Sequence, residues 1–186
     1  MAQRRIPVLV VSGFAASLAT AAWGHDEVMV GHTAANQLVM HTHSVMPFEL
    51  PDSVFPGITG FAGAEVALAS LDADHPALGI FMLPETVDIR CVLLDFSPNM
   101  RVYNGLSPMA VGDEMVLGAP VIHYMPIWNI TQGNPGEVSS AVFQFRDATN
   151  QMSASQPFTV TFTPAPAPGG VCLLGLGAVF ATRRRR

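Results

Sequence analysis

The residues in this 186-residue chain most able to do chemistry are its histidines, and four of the six lie close together near the start: His25, His32, His41 and His43. His41-Thr42-His43 is the most informative group. On a β-strand, residues i and i+2 point to the same face, so two imidazoles would stand side by side. Two neutral ring nitrogens at that spacing suit a divalent ion, and the candidate ion is zinc or copper. His32, reached through a turn-like stretch from Gly31 to Asn36, could return to the same edge. His123, in a separate strand, is the other residue expected to complete the site. Release of the first 24 residues would also free the amino group of His25, whose amine and imidazole together could chelate copper.

Other chemistries have weaker support. Cys91, within the apolar run Arg90-Cys91-Val92-Leu93-Leu94, has no partner in the central domain and reads as a small core residue. Its surroundings lack the closely spaced His and Met of a blue-copper centre. No nucleophile elbow, phosphate loop or dinucleotide fingerprint occurs. The carboxylate pairs Asp72/Asp74 and Asp113/Glu114 read as solvated turn residues. A calcium set of Asp72, Asp74 and Asp88 lacks a ligand-loop pattern. Of Met29, Met40, Met46 and Met125, most read as core fillers. No catalytic pair stands out, so the expectation is a non-enzymatic protein.

The elements that must position these residues are short strands separated by turn signals. Strand character falls on Gln37 to His43, Asp88 to Phe96, Arg101 to Tyr103, Glu114 to Leu117, Val121 to Ile130, Val138 to Phe145 and Phe158 to Phe162. Asn104-Gly105, Asn134-Pro135-Gly136 and Ser97-Pro98-Asn99 mark turns between them. Ala62 to Ser70 reads as one short helix, and Pro47 to Pro84 as long loops over the strands. About seven short strands with frequent turns predict an all-β fold, an antiparallel β-sandwich of Ig-like or jelly-roll-like outline.

Charge and the chain ends set the context. No Lys occurs, and six of the nine Arg lie at the termini. Between His25 and Thr163, three Arg against 14 carboxylates leave a net charge of −11. Such a surface repels phosphate backbones, which excludes nucleic acid as a partner, and draws cations. Arg4 and Arg5, the apolar stretch Ile6 to Ala22, and the small residues of Ala22-Trp23-Gly24 have the three parts of a signal peptide, with cleavage expected before His25. At the other end, Thr163 to Gly170 is Pro-rich and acts as a spacer. The apolar segment that follows is shorter than a spanning helix needs and ends in four Arg. The organisation expected is therefore a signal helix (1–24), a β-sandwich ectodomain (25–163), a linker (164–170) and an apolar tail helix with its Arg cluster (171–186).

Two resemblances follow from these motifs. Pro164-Ala165-Pro166-Ala167-Pro168, the Leu/Gly/Ala-rich segment and the Arg run together resemble the PEP-CTERM sorting signal, with Ala where that motif usually has Glu. The resemblance implies export, signal peptidase and an exosortase-type enzyme as partners, transient anchoring in the inner membrane and display at the cell surface or release. Gly31-His32, the segment Asn36 to His43, Ile80 to Pro84, His123 to Ile130 and Pro135 to Val138 resemble the choice-of-anchor M surface domains. That resemblance implies a metal-linked surface protein with His32, His41, His43 and His123 as ligands; Met125 replaces the second His of one paired motif. The alternatives are a structural or adhesive component of the extracellular matrix, and a glycan-acting or glycan-binding jelly roll.

Overall fold

A computed structural model describes residues 26–118 and 120–165. The signal segment, His25 and the apolar tail lie outside the described residues. The described residues form fourteen strands in order: β1 Asp26–Thr33, β2 Leu38–His41, β3 Phe48–Leu50, β4 Phe61–Gly63, β5 Val66–Ser70, β6 Ile80–Phe81, β7 Ile89–Phe96, β8 Met100–Asn104, β9 Ser107–Pro108, β10 Glu114–Gly118, β11 His123–Tyr124, β12 Ile127–Ile130, β13 Ser139–Asp147 and β14 Phe158–Pro164. A 3-10 turn, Pro76–Leu78, precedes β6. Among the described residues there is no α-helix, and no helix long and apolar enough to cross a membrane.

The strands make three sheets. The β1 sheet runs β11-β5-β1-β2, with β6 paired to the far end of β1. The β13 sheet runs β10-β7-β13-β14-β3, and the β12 sheet runs β4-β12-β8-β9. The fold is all-β as expected, and a sandwich fits it: β13 packs on β8 and on β2, so its sheet faces the other two. The expected antiparallel pairing holds throughout the β12 sheet, while the other two sheets are mixed, because β5 runs parallel to β1 and β3 parallel to β14.

Alternation builds the shared core. In β13, Ser139, Ala141, Phe143, Phe145 and Asp147 are buried; in β14, Phe158, Val160, Phe162 and Pro164 are. In β7, Ile89, Cys91 and Leu93 point to the same interior. Trp128 of β12 is fully buried between them, 5.7 Å from the Phe143 ring and 4.8 Å from Phe162. Its indole Nε1 donates to the Val66 carbonyl of β5 at 2.8 Å, so one side chain ties all three sheets.

Three expectations are corrected. Ala62 to Ser70 is not a helix but the strands β4 and β5, because its alternating small and aliphatic residues are held in the β12 and β1 sheets. Pro47 to Pro84 carries β3, β4, β5 and β6 rather than loops alone. Gly31 to Asn36 is not all turn: β1 continues to Thr33, and the reversal is a tight one in which Thr33 N–H donates to Gln37 O.

Asp147, at the end of β13, anchors the adjoining loop. Burial opposes its ionisation, but the N–H groups of Asp88, Thr149, Gln151 and Met152 and the Thr149 hydroxyl all donate to its carboxylate. Together they hold its carboxyl below the usual range. A carboxylate depressed in the folded state stabilises the fold above the unfolded value of about 3.9, and that stability is lost as the pH falls through the folded value. Asp147→Asn should therefore lower stability at neutral pH by about 2 kcal/mol. It should also shrink the difference in melting temperature between pH 7 and pH 3. An acid limb as steep as that of the wild type in thermal melts would show that Asp147 does not govern it.

Candidate metal centre

The site begins with the two faces of β1. Val28 and Val30 enter the main core, and Met29 joins a separate cluster with Ala69 and Leu71 on the opposite face of the sheet. By alternation Glu27 and Gly31 share the Met29 face. Antiparallel pairing sets His41 directly opposite Met29, hence on that same outer face. β2 ends at His41, so His43 is not a strand residue. Its position is fixed instead by Thr42, whose hydroxyl donates to Glu27 O at 2.8 Å and accepts from Ser44 N–H at 3.1 Å.

The third imidazole arrives from a loop. After β5 the ladder to β1 continues for one more bond, Leu71 N–H donating to Val30 O, and the loop that follows brings His75 beside His41. His75 and Ile80 exchange backbone hydrogen bonds around the 3-10 turn, and Gly79 closes it at φ 68°. Asp74 accepts the Met82 N–H at 2.8 Å. The loop can lie this close only because β1 offers no side chain at Gly31. A Cβ there would overlap Leu71 Cδ1 and sit 2.8 Å from the Phe81 carbonyl oxygen.

The result is a cluster of three imidazoles, His41, His43 and His75. Ring centres lie 4.5 Å apart for His41–His43, 5.6 Å for His41–His75 and 5.8 Å for His43–His75. Three imidazoles around one tetrahedral ion, with metal–nitrogen bonds of about 2 Å, place ring centres about 5 Å apart. The rings therefore stand at ligand spacing. Their orientation is not that of a finished site: His41 and His43 meet edge to face at 88°, and among the described residues no set of three or more His, Cys, Asp or Glu is arranged to hold an ion. Ring rotation, which the exposed His43 permits, would be required.

The electrostatics favour a neutral His41. Burial first, then the neighbouring His43 and His75, lowers the His41 pKa below its ordinary value. A base depressed in this way binds a proton later in the folded than in the unfolded chain, so acidification through about 6.5 destabilises the fold. Two nitrogens are also unsatisfied: the Nε2 atoms of His41 and His75 are both buried without a hydrogen-bond partner among the described residues. Buried polar atoms are nearly always partnered, so such orphans call for an explanation.

Beside the cluster opens a cleft of about 580 Å³, lined by Glu27, Met29, His43, Asp72, Met82 and His123 among others. His123 belongs to this cleft and not to the cluster. Register aligns His123 with Ala69, Ala69 with Met29 and Met29 with His41, in one rung across four strands. Three inter-strand steps separate His123 from His41 by about 14 Å. His32 is separated by parity: it lies on the Val28/Val30 side of β1, its ring 5.8 Å from that of Phe81 and its Nδ1 2.8 Å from Thr33 O. His25 lies outside the described residues.

Thus the structure brings together His41 and His43 and leaves His32 and His123 apart. The third ring, His75, is the one that sequence reasoning misses, since a lone His before Pro in a loop carries no periodic signal. The calcium set does not assemble, because Asp74 caps Met82 while Asp88 pairs with Arg90 at 2.5 Å. Cys91 is buried and free, and burial pushes its thiol well up, away from the reactive thiolate.

No family model, curated protein or solved structure matches this chain. Its function therefore has to follow from the chemistry of the site.

The loop-on-sheet geometry gives a direct test. Gly31→Ala should displace the Leu71–Phe81 segment and cost about 1–3 kcal/mol, since the clash includes backbone. Cross-relaxation between the His41 and His75 rings should vanish from NMR spectra of the variant while β-sheet circular dichroism persists. Cross-relaxation of wild-type strength would mean that Gly31 does not set the loop's approach.

Proposed function

We propose that this chain is an exported, non-enzymatic β-sandwich that binds a divalent metal through His41, His43 and His75 and is sorted by its C-terminal tail. The observation that carries the metal reading is the pair of buried, unpartnered Nε2 atoms within a three-imidazole cluster. Each orphan nitrogen has an available lone pair in one tautomer, and a shared ion would satisfy both. The excess of carboxylates over Arg in this region raises the local concentration of cations. Export and sorting rest on the sequence: the basic, apolar and small-residue succession at the start, and the Pro-rich, apolar and Arg succession at the end. The metal is zinc- or copper-like, since imidazole donors suit both.

Thermal melts of the full chain with zinc and with copper test the metal reading. A ligand bound only by the folded state at 100 times its dissociation constant adds about 2.7 kcal/mol, or about 5–10 °C here. That shift should be lost in His41→Ala/His43→Ala and in His75→Ala, and kept in His32→Ala and His123→Ala. It should fade below about pH 6, where imidazoles take up protons. Equal shifts in wild type and His75→Ala would leave the cluster as ordinary polar packing, in keeping with the structural or adhesive alternative.

Export has its own measurement. N-terminal sequencing of protein recovered outside the cell should begin at His25; material still starting at Met1 would remove the cleaved-signal reading.

A further inference from the structure

The imidazole cluster has a soft neighbour that the His set alone does not use. Met29 stands directly opposite His41 across the β1–β2 ladder, on the same face. Directly opposed residues have Cβ atoms about 4.5–5.5 Å apart, within the reach of a side chain with three rotatable bonds. Met29 is 5 % exposed, and its apolar neighbours are Ala69, Leu71 and Ile80. Ile80 is in turn the residue that exchanges backbone hydrogen bonds with His75. The Met29 side chain is therefore bounded by His41 on one side and by the His75 loop on another. It also lines the same cleft as His43. His41 is thus its cross-strand neighbour, while the cleft and Ile80 link it to His43 and to the His75 loop.

We infer that Met29 is the fourth donor of this centre, and that its thioether makes the site one for copper(I) in preference to zinc. The inference rests on the three-His reading above. A neutral thioether is a soft ligand that stabilises copper(I), whereas zinc is adequately served by imidazole and water. The surroundings suit the softer ion as well. Ala69, Leu71 and Ile80 give an apolar floor, where a singly charged ion is less costly to hold than a doubly charged one. A Met whose only task was to fill that floor would be replaceable by Leu without consequence for metal choice, since the two are close in volume.

That substitution is the experiment. Full-length wild type and Met29→Leu are titrated anaerobically with copper(I) against a chromogenic copper(I) chelator, and separately melted with zinc. Met29→Leu should weaken copper(I) at least 10-fold while leaving the zinc-induced melting shift within error of the wild type. The retained zinc shift shows that the variant folds and that the imidazoles still act together. Equal copper(I) affinity in the two proteins, with zinc binding intact, overturns the role of Met29 and leaves the three-His site standing. Absence of any metal effect in the wild type overturns both. Loss of zinc and copper(I) together in Met29→Leu would show a packing role, and it too overturns the inference.

Discussion

The fold depends on one buried polar contact, the indole N–H of Trp128 on the Val66 carbonyl. A fully buried N–H without a partner would cost about 1–3 kcal/mol, so the ring can occupy the centre of the sandwich only where β5 begins beside it. That requirement fixes β5 relative to β12. β5 then sets β1 through five parallel pairs from Asp26–Val66 to Val30–Ser70. The Phe143 and Phe162 rings complete the enclosure from the opposite layer. A single side chain thus couples the assembly of the core to the strand pair on which the histidines are mounted.

From that strand pair outward, the site is governed by parity. β1 sends Val28 and Val30 to the core and turns Met29 to the other face. His41 follows Met29 by register, while His32 cannot, because one residue along a strand exchanges the faces. The outer face is then partly covered by the loop that leaves β5, and coverage by a loop is what creates burial there. Without it His41 would be a surface imidazole with its nitrogens in water. With it, His41 and His75 each hold an Nε2 away from solvent and unpartnered. The loop's close approach is permitted at Gly31, where any larger residue meets the Phe81 carbonyl.

Two opposing effects meet at the cluster. Partial burial of His41 beside two other imidazoles is unfavourable for its protonated form and lowers its pKa. A neutral imidazole presents a lone pair, which is what a metal ion needs, and among the described residues none supplies a donor to the Nε2 atoms of His41 and His75. The same arrangement makes the region sensitive to acid in the absence of any ligand. Stability and binding competence therefore move in the same direction with pH.

By itself the sequence determined what depends on local pattern. An aliphatic, β-branched run located β7, period-two alternation located β13 and β14, and turn signals set β7 apart from β13, because each of those signals is written within a few residues. The pairing of His41 with His43 was legible for the same reason, although Thr42, and not strand geometry, brings their rings together. The tertiary structure alone decided the rest. It converted 62–70 from an expected helix into two strands, since small residues such as Ala67 and Ala69 take whatever conformation their partners impose. It placed His123 three strands from His41 and turned His32 to the other face, because sheet order and register are non-local. It also supplied His75, from a loop whose course is set by the absence of a side chain at Gly31, 44 residues earlier in the chain.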